Sequence, residues 1–183
     1  MAERISIYCT WTDSLIHEIQ TEDMYLDMYN NKNEYDLSEI RDDLSVETPN
    51  GPMKLQDNTN KKVVNMMKDE LGGYLMTEFV SLKSKMYSYT KQTEDGKIKN
   101  DKRAKGCKRY VVKKDLTHES YKNCLLSGQS EYFKMNTIKS IKHEIYMQRM
   151  NKLVLTNYDS KRYYHNNGID SYAYGHYKIA IEA

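Results

Sequence analysis

Proline and glycine are scarce, with 2 and 8 in 183 residues, which excludes a Pro/Gly linker or a collagen-like chain. Cysteine is scarcer than any framework needs. Cys9, Cys107 and Cys124 are odd in number and none stands in a Cys-x-x-Cys pair, so neither a disulfide scaffold nor a zinc site is indicated. No apolar run nears the roughly 18 residues that a membrane-spanning helix needs, and the amino terminus shows no signal-peptide pattern. The expectation is an intracellular protein with no membrane partner. Phenylalanine and tryptophan are rare as well, at 2 and 1, whereas tyrosine reaches 17. A ring with a polar tip suits nucleic-acid and protein surfaces as well as cores.

Charge is abundant and unevenly placed. Residues 1–60 carry 13 acidic and 4 basic side chains, residues 61–152 carry 10 and 21, and the remainder 3 and 3. The middle of the chain is therefore the part able to neutralise phosphates, although a solvated basic face is the plain alternative. A chain of this length can bury a core, and one or two small domains are expected.

The chain is organised around residues 5–19. Ile5, Ile7, Cys9 and Trp11, then Leu15, His17 and Ile19, alternate on either side of Thr12-Asp13-Ser14, the period-2 signature of a β-hairpin with a polar tip. A carboxylate held there by rigid strands is well placed for a metal ion. An ordinary polar turn explains it too.

Farther along, Thr21 and the acids after it predict a short helix over 21–29. Residues 30–60, rich in Asn and Asp around Pro49-Asn50-Gly51-Pro52, read as an irregular surface segment. Val63, Met66 and Met67 at helical spacing before Gly72-Gly73 give a helical face as the default. A strand run over 76–89 follows, then a turn over 91–96 and a basic strand over 102–114. Thr117 caps a helix whose Tyr121, Cys124 and Leu125 share a face, and Gly128 ends it. Strands come next, with Ile138, Ile145, Leu153 and Leu155 inward, and then a hairpin turning on Asn166-Asn167-Gly168. His118 and His143 read as surface or core polar residues, and Cys124 as a small buried hydrophobe. The fold class is α+β, β-rich towards the carboxyl end.

Several of these stretches resemble family B DNA polymerases of the protein-primed branch, in particular those of virus-like transposable elements of the Maverick or Polinton group. Tyr8, Thr12, Asp13 and Ser14 follow the palm motif Tyr-x-Asp-Thr-Asp-Ser, with Trp11 where its first Asp is expected and Tyr8 one residue farther from the Asp than is usual. Leu82, Lys83, Lys85 and Tyr87 match the Lys-x-Tyr motif with its lead-in, and the resemblance implies an extended lead-in over 60–73 in place of the helical default. Lys102, Arg103, Lys105, Gly106, Lys108 and Arg109 resemble the beginning of the thumb, and the Asp159 and Tyr174-Gly175-His176 segments its carboxyl end. The resemblance covers nearly the whole chain, in the family's order.

It implies a partial palm with an acidic insertion over 1–90 and a thumb-like part over 91–183. It also implies contact with primer-template DNA through Lys83, Lys85, Tyr87, Lys102, Arg103, Lys105, Gly106, Lys108 and Arg109, in a nuclear setting. Glycine at 106 lets the backbone approach a bulky partner, and the cations around it can track a phosphate chain. Polymerisation in this family uses two metal ions held by carboxylates from separate parts of the palm. Only Asp13 remains here, and Trp11 cannot ligate, so Mg²⁺ is expected only if an upstream fragment completes the site. The chain alone is then a DNA-binding remnant without polymerase activity. The alternatives are the carboxyl-terminal piece of a split polymerase and a host-adopted protein-interaction module.

Overall fold

The computed structural model describes residues 4–11, 14–167 and 170–179. The fold is α+β with strands predominating, and the chain divides into two compact units. Unit 1 holds residues 1–76 with 92–96, and unit 2 holds 77–91 with 97–183.

In unit 1, β1 (Arg4–Trp11) pairs antiparallel with β2 (Ser14–Gln20), so the hairpin expected from the alternation is present. Thr12 and Asp13 at its tip lie outside the described residues, and β1 is described by its backbone. The register runs Ile7 to His17 and then Cys9 to Ile16, a bulge that takes up one residue at Tyr8 and interrupts the strict alternation. Helix α1 (Met24–Asn30) follows, capped by Asp23 rather than Thr21. The Asp23 carboxylate accepts from the N–H groups of Tyr25 (2.9 Å) and Leu26 (3.1 Å), where a negative charge also suits the helix end. The Thr21 hydroxyl instead donates to Asp27 Oδ2.

Residues 30–60 are not the plain surface segment that their composition suggests. They form β3 (Tyr35–Asp36) and a hairpin of β4 (Ser45–Thr48) and β5 (Gly51–Lys54), and their Leu37, Ile40, Val46 and Leu55 join Met28 as the core of the unit. The helix expected over 60–73 is absent too. Lys62 and Asn65 sit at φ +60° and +68°, left-handed positions that no α-helix can contain, and Val63 and Met67 are half exposed. What forms there is the short β6 (Met67–Lys68), parallel to β3. The chain turns at Gly73, at φ +90°, where a Cβ would stand 3.0 Å from the Leu44 side chain.

Unit 2 is built on a three-stranded sheet of β7 (Met76–Lys83), β8 (Met86–Gln92) and β9 (Ile98–Ala104), with β8 central. The division falls at 76/77, with residues 92–96 returning to unit 1, so nearly all of this sheet lies in unit 2. Alternation is strict along β8, where Met86, Ser88 and Thr90 are buried and Tyr87, Tyr89 and Lys91 are less so. Behind the buried face lie α2 (Arg109–Lys114) and α3 (His118–Ser127), which contribute Val111, Tyr121 and Cys124 to the core. The basic strand expected to 114 therefore ends at Ala104, where a turn through Gly106 (φ +89°) starts a helix instead. Thr117 and Ser120 form the capping box of α3, and Gly128 closes it at φ +71°. Leu125, expected on the buried face, is 44% exposed.

The last elements are a long ribbon, β10 (Glu131–Ile141) with β11 (Glu144–Leu155), and a short hairpin, β12 (Arg162–Tyr164) with β13 (Ser171–Ala173). Leu155 is fully buried as expected, together with Met135 and Val154. Ile138 and Ile145 are not inward: they are 74% and 75% exposed, and Leu153 is 39% exposed. The ribbon is only two strands wide, and beyond Met135 no second layer among the described residues covers either face within the unit. The ribbon turns on Lys142 and His143, at φ +50° and +66°, as a two-residue turn of the primed type. The hairpin expected around 166–168 is present, although Gly168 itself lies outside the described residues.

Candidate nucleic-acid interface

The metal site expected at the tip of the β1–β2 hairpin is limited by its donor set. Asp13 lies outside the described residues, and Trp11 and Ser14 face each other across the tip. Between them the sequence supplies one carboxylate, whereas two hard cations need several oxygen ligands in fixed geometry. Trp11 offers no oxygen ligand. Among the described residues, no three His, Cys, Asp or Glu side chains stand close enough together to hold a metal ion.

The basic residues of unit 2 do come together. Lys85 occupies the tight turn between β7 and β8 at φ +61°, and its carbonyl accepts from the Lys105 N–H at 3.0 Å, which sets this turn against the one that follows β9. The Gly106 carbonyl in that second turn accepts from Lys152 Nζ at 2.6 Å. Three segments distant in sequence thus bring Lys85, Lys105 and Lys152 to one place, and Lys108 and Arg109 follow at the start of α2. Lys85, Lys105, Lys108 and Arg109 are exposed and make no ion pair among the described residues. Cations at the N-terminus of a helix do not complement its dipole, so Lys108 and Arg109 are not there to cap α2.

Other predicted contacts are placed differently. Lys102 points to the core side of the sheet, where its ammonium donates to the carbonyls of Leu116 (2.5 Å) and Lys113 (3.4 Å) and holds the chain between α2 and α3. It is a structural lysine. Lys83 Nζ reaches the Tyr158 carbonyl at 3.3 Å. Tyr87 lies on the outer face of the sheet, its ring 5.9 Å from Phe79 and 6.4 Å from Tyr89, nearly parallel to the latter. Burial, together with the Asp101 carboxylate beside it, pushes the Tyr89 hydroxyl up to about 12, so it stays a neutral donor at any physiological pH. Arg103 is exposed on that same outer face. The sheet therefore presents an aromatic strip edged by cations.

The ribbon adds cations that the motif residues do not include. Over residues 131–155 it carries Lys134, Lys139, Lys142, Arg149 and Lys152 against two acids, Glu131 and Glu144. Cross-strand pairing puts Lys134 with Asn151 and Asn136 with Arg149 on one face, followed by Ile138 with Met147 and Ser140 with Ile145. The signal was the spacing of lysines along two long alternating runs, which the inward assignment of Ile138 and Ile145 obscured.

Nucleophilic chemistry has little support. Burial raises the thiols of Cys107 and Cys124, which keeps them protonated. Ser88, His118 and Glu78 form a chain, with His118 Nδ1 2.9 Å from Ser88 Oγ and Nε2 3.1 Å from Glu78. Ser88 is wholly buried and donates to the Asp101 carbonyl, and Glu78 is also paired with Lys122 at 2.8 Å. This chain ties α3 to the sheet, with the Ser88 hydroxyl shut away from solvent. No family model, curated protein or solved structure matches the chain.

Proposed function

We propose that unit 2 binds duplex nucleic acid in the manner of a polymerase thumb, and that the chain is the carboxyl-terminal palm-and-thumb part of a protein-primed family B DNA polymerase of the Maverick or Polinton type. The reading rests on one observation: the exposed cations of the β7–β8 turn and of the turn into α2 gather with the half-buried Lys152 at the foot of the ribbon, and none of them makes an ion pair among the described residues. An unpaired cation cluster of this kind releases condensed counterions when it meets phosphates, and that release drives binding. A two-stranded ribbon has the width to enter the major groove of a duplex, and this one is strongly basic. With one carboxylate at the palm tip, the chain alone does not polymerise, and Mg²⁺ enters only when other ligands are supplied.

The test is binding of the purified chain to a primer-template duplex. Lys85→Ala with Tyr87→Ala is expected to weaken binding about 10-fold or more, through one lost phosphate contact and one lost ring. Binding indifferent to both changes, or nucleotide incorporation by the chain alone, contradicts the reading. A tight protein partner in the absence of any DNA affinity favours the interaction module instead.

One observation favours the split-polymerase form of this reading. Among the described residues β1 and β2 form a sheet of two strands, which a strand of a separate upstream fragment can extend. Mg²⁺-dependent primer extension that appears only when that fragment is added is the outcome this form predicts.

A further inference from the structure

The carboxyl-terminal hairpin carries a column of rings that the duplex surface does not use. Tyr172 of β13 is met edge-on by His165 at 4.4 Å and lies face to face with His176 at 4.4 Å and 8°. His176 in turn stacks on Tyr177 at 4.8 Å. The inner members hold the hairpin together: Tyr172 and His176 are half-buried, and Arg162 fastens β12 to β13 through Ser171 Oγ (2.7 Å) and the Ser171 carbonyl (2.8 Å). Tyr177 does not share that task. It ends the column and remains 70% exposed, an aromatic ring that stacks on one side and meets solvent elsewhere.

Cohesion of the hairpin explains the column as far as His176. It does not explain a fourth large ring placed in water at the stacking distance of the third. Lys178 Nζ lies 6.0 Å from the centre of the Tyr172 ring, so a cation stands beside the column. The nearest carboxylate of the hairpin loop, Asp170, is occupied by the Asn167 amide at 2.7 Å. A planar ligand carrying negative charge satisfies both features at once. Nucleobases attached to a phosphate chain have this chemistry, and stacking on tyrosine with a basic neighbour is how unpaired bases are held without regard to sequence.

We propose that Tyr177 is the stacking platform for an unpaired nucleobase, so that the column Tyr172–His176–Tyr177 takes a single-stranded segment, with Lys178 on its phosphate. The proposal rests on the duplex-binding reading of unit 2 and adds a single-strand subsite to it. The β12–β13 hairpin supplies the platform because its inner rings are fixed and its outermost ring is free to receive a fourth stacking partner.

The experiment compares the full chain with three DNA probes: a blunt duplex, the same duplex with a single-stranded 5′ overhang of six thymidines, and the overhang strand alone. Binding is read by anisotropy, and stacking by the fluorescence of a 2-aminopurine placed within the overhang. The overhang is expected to tighten binding. Tyr177→Ala is expected to lose between about 5-fold and about 150-fold on the overhang probe, the range one stacked base spans. It is expected to leave the blunt duplex unchanged and to abolish the 2-aminopurine quenching. Tyr177→Phe keeps the ring and is expected to retain both. Equal affinity for blunt and overhung duplex, with Tyr177→Ala unchanged on each, overturns the subsite and leaves the duplex reading standing. Loss on the overhang strand alone, in a chain that never binds the blunt duplex, supports the subsite and overturns the duplex reading. Because Tyr177 is exposed, an unaltered circular dichroism spectrum is expected for both variants; a lost spectrum in Tyr177→Ala makes the ring part of the hairpin core and overturns the proposal.

Discussion

At the scale of single residues, charge decides more than hydrophobicity does, and the same residue type serves opposite ends. Lys102 and Lys105 are three positions apart, yet one ammonium is spent on two backbone carbonyls and the other stands in solvent beside Lys85. Lys102→Ala is therefore expected to destabilise unit 2 by about 1.5–3 kcal/mol, the range for hydrogen bonds from a charged donor, and to leave the salt dependence of DNA binding unaltered; urea unfolding and a salt titration check the two halves. Asp36 gives a pH dependence of known sign. Its carboxylate is held at about 2, below its usual 3.8, by the Ser38 side chain first and by the N–H groups of Lys62 and Ser38, each 3.0 Å away. The unfolded chain binds this proton first as pH falls, so the stabilisation is complete above about pH 4 and is lost on descent through about 2. Asp36→Asn is expected to flatten that acid limb, followed by thermal unfolding at stepped pH.

At the scale of elements, the hairpins were legible and the segments between them were not. The β1–β2 hairpin announced itself by alternation, and α3 by a threonine cap and a terminal glycine, because both signals are local. Residues 35–55 failed because Leu37, Ile40, Val46 and Leu55 are spaced among polar residues with no single period and become a core only when β3, β4 and β5 fold together. Residues 60–73 failed because Lys62 and Asn65 adopt left-handed backbone that neither residue type advertises as glycine would. The ribbon was read as two strands correctly, but burial was inferred from its isoleucines, and a two-stranded element has no layer to bury them against. Its turn gives the element its own test. Lys142 and His143 both hold positive φ where asparagine and glycine are favoured, so Lys142→Asn with His143→Gly is expected to raise hydrogen-exchange protection along 136–149 by a few-fold or more. An unchanged exchange profile would show that the turn does not limit the ribbon.

For the whole molecule, the acidic front and the basic middle are distributed over two units, and all the gathered cations belong to the second. Of the candidate site, the sequence made visible which residues were basic. It could not show which of them the fold consumes, which it leaves in solvent, or that the turns at 85 and 105 adjoin, because those facts depend on hydrogen bonds between segments 11 to 46 residues apart. The central claim is that unpaired cations from separate segments form one phosphate-binding surface. Its most direct measurement is the affinity for a blunt duplex from about 50 to 200 mM salt, for the wild-type chain and for Lys105→Ala with Lys139→Ala. The account predicts a steep linear fall of log affinity with log salt, and a slope shallower by about 2 in the double variant, one for each lysine. Binding that ignores salt, or a slope that both substitutions leave unmoved, contradicts it.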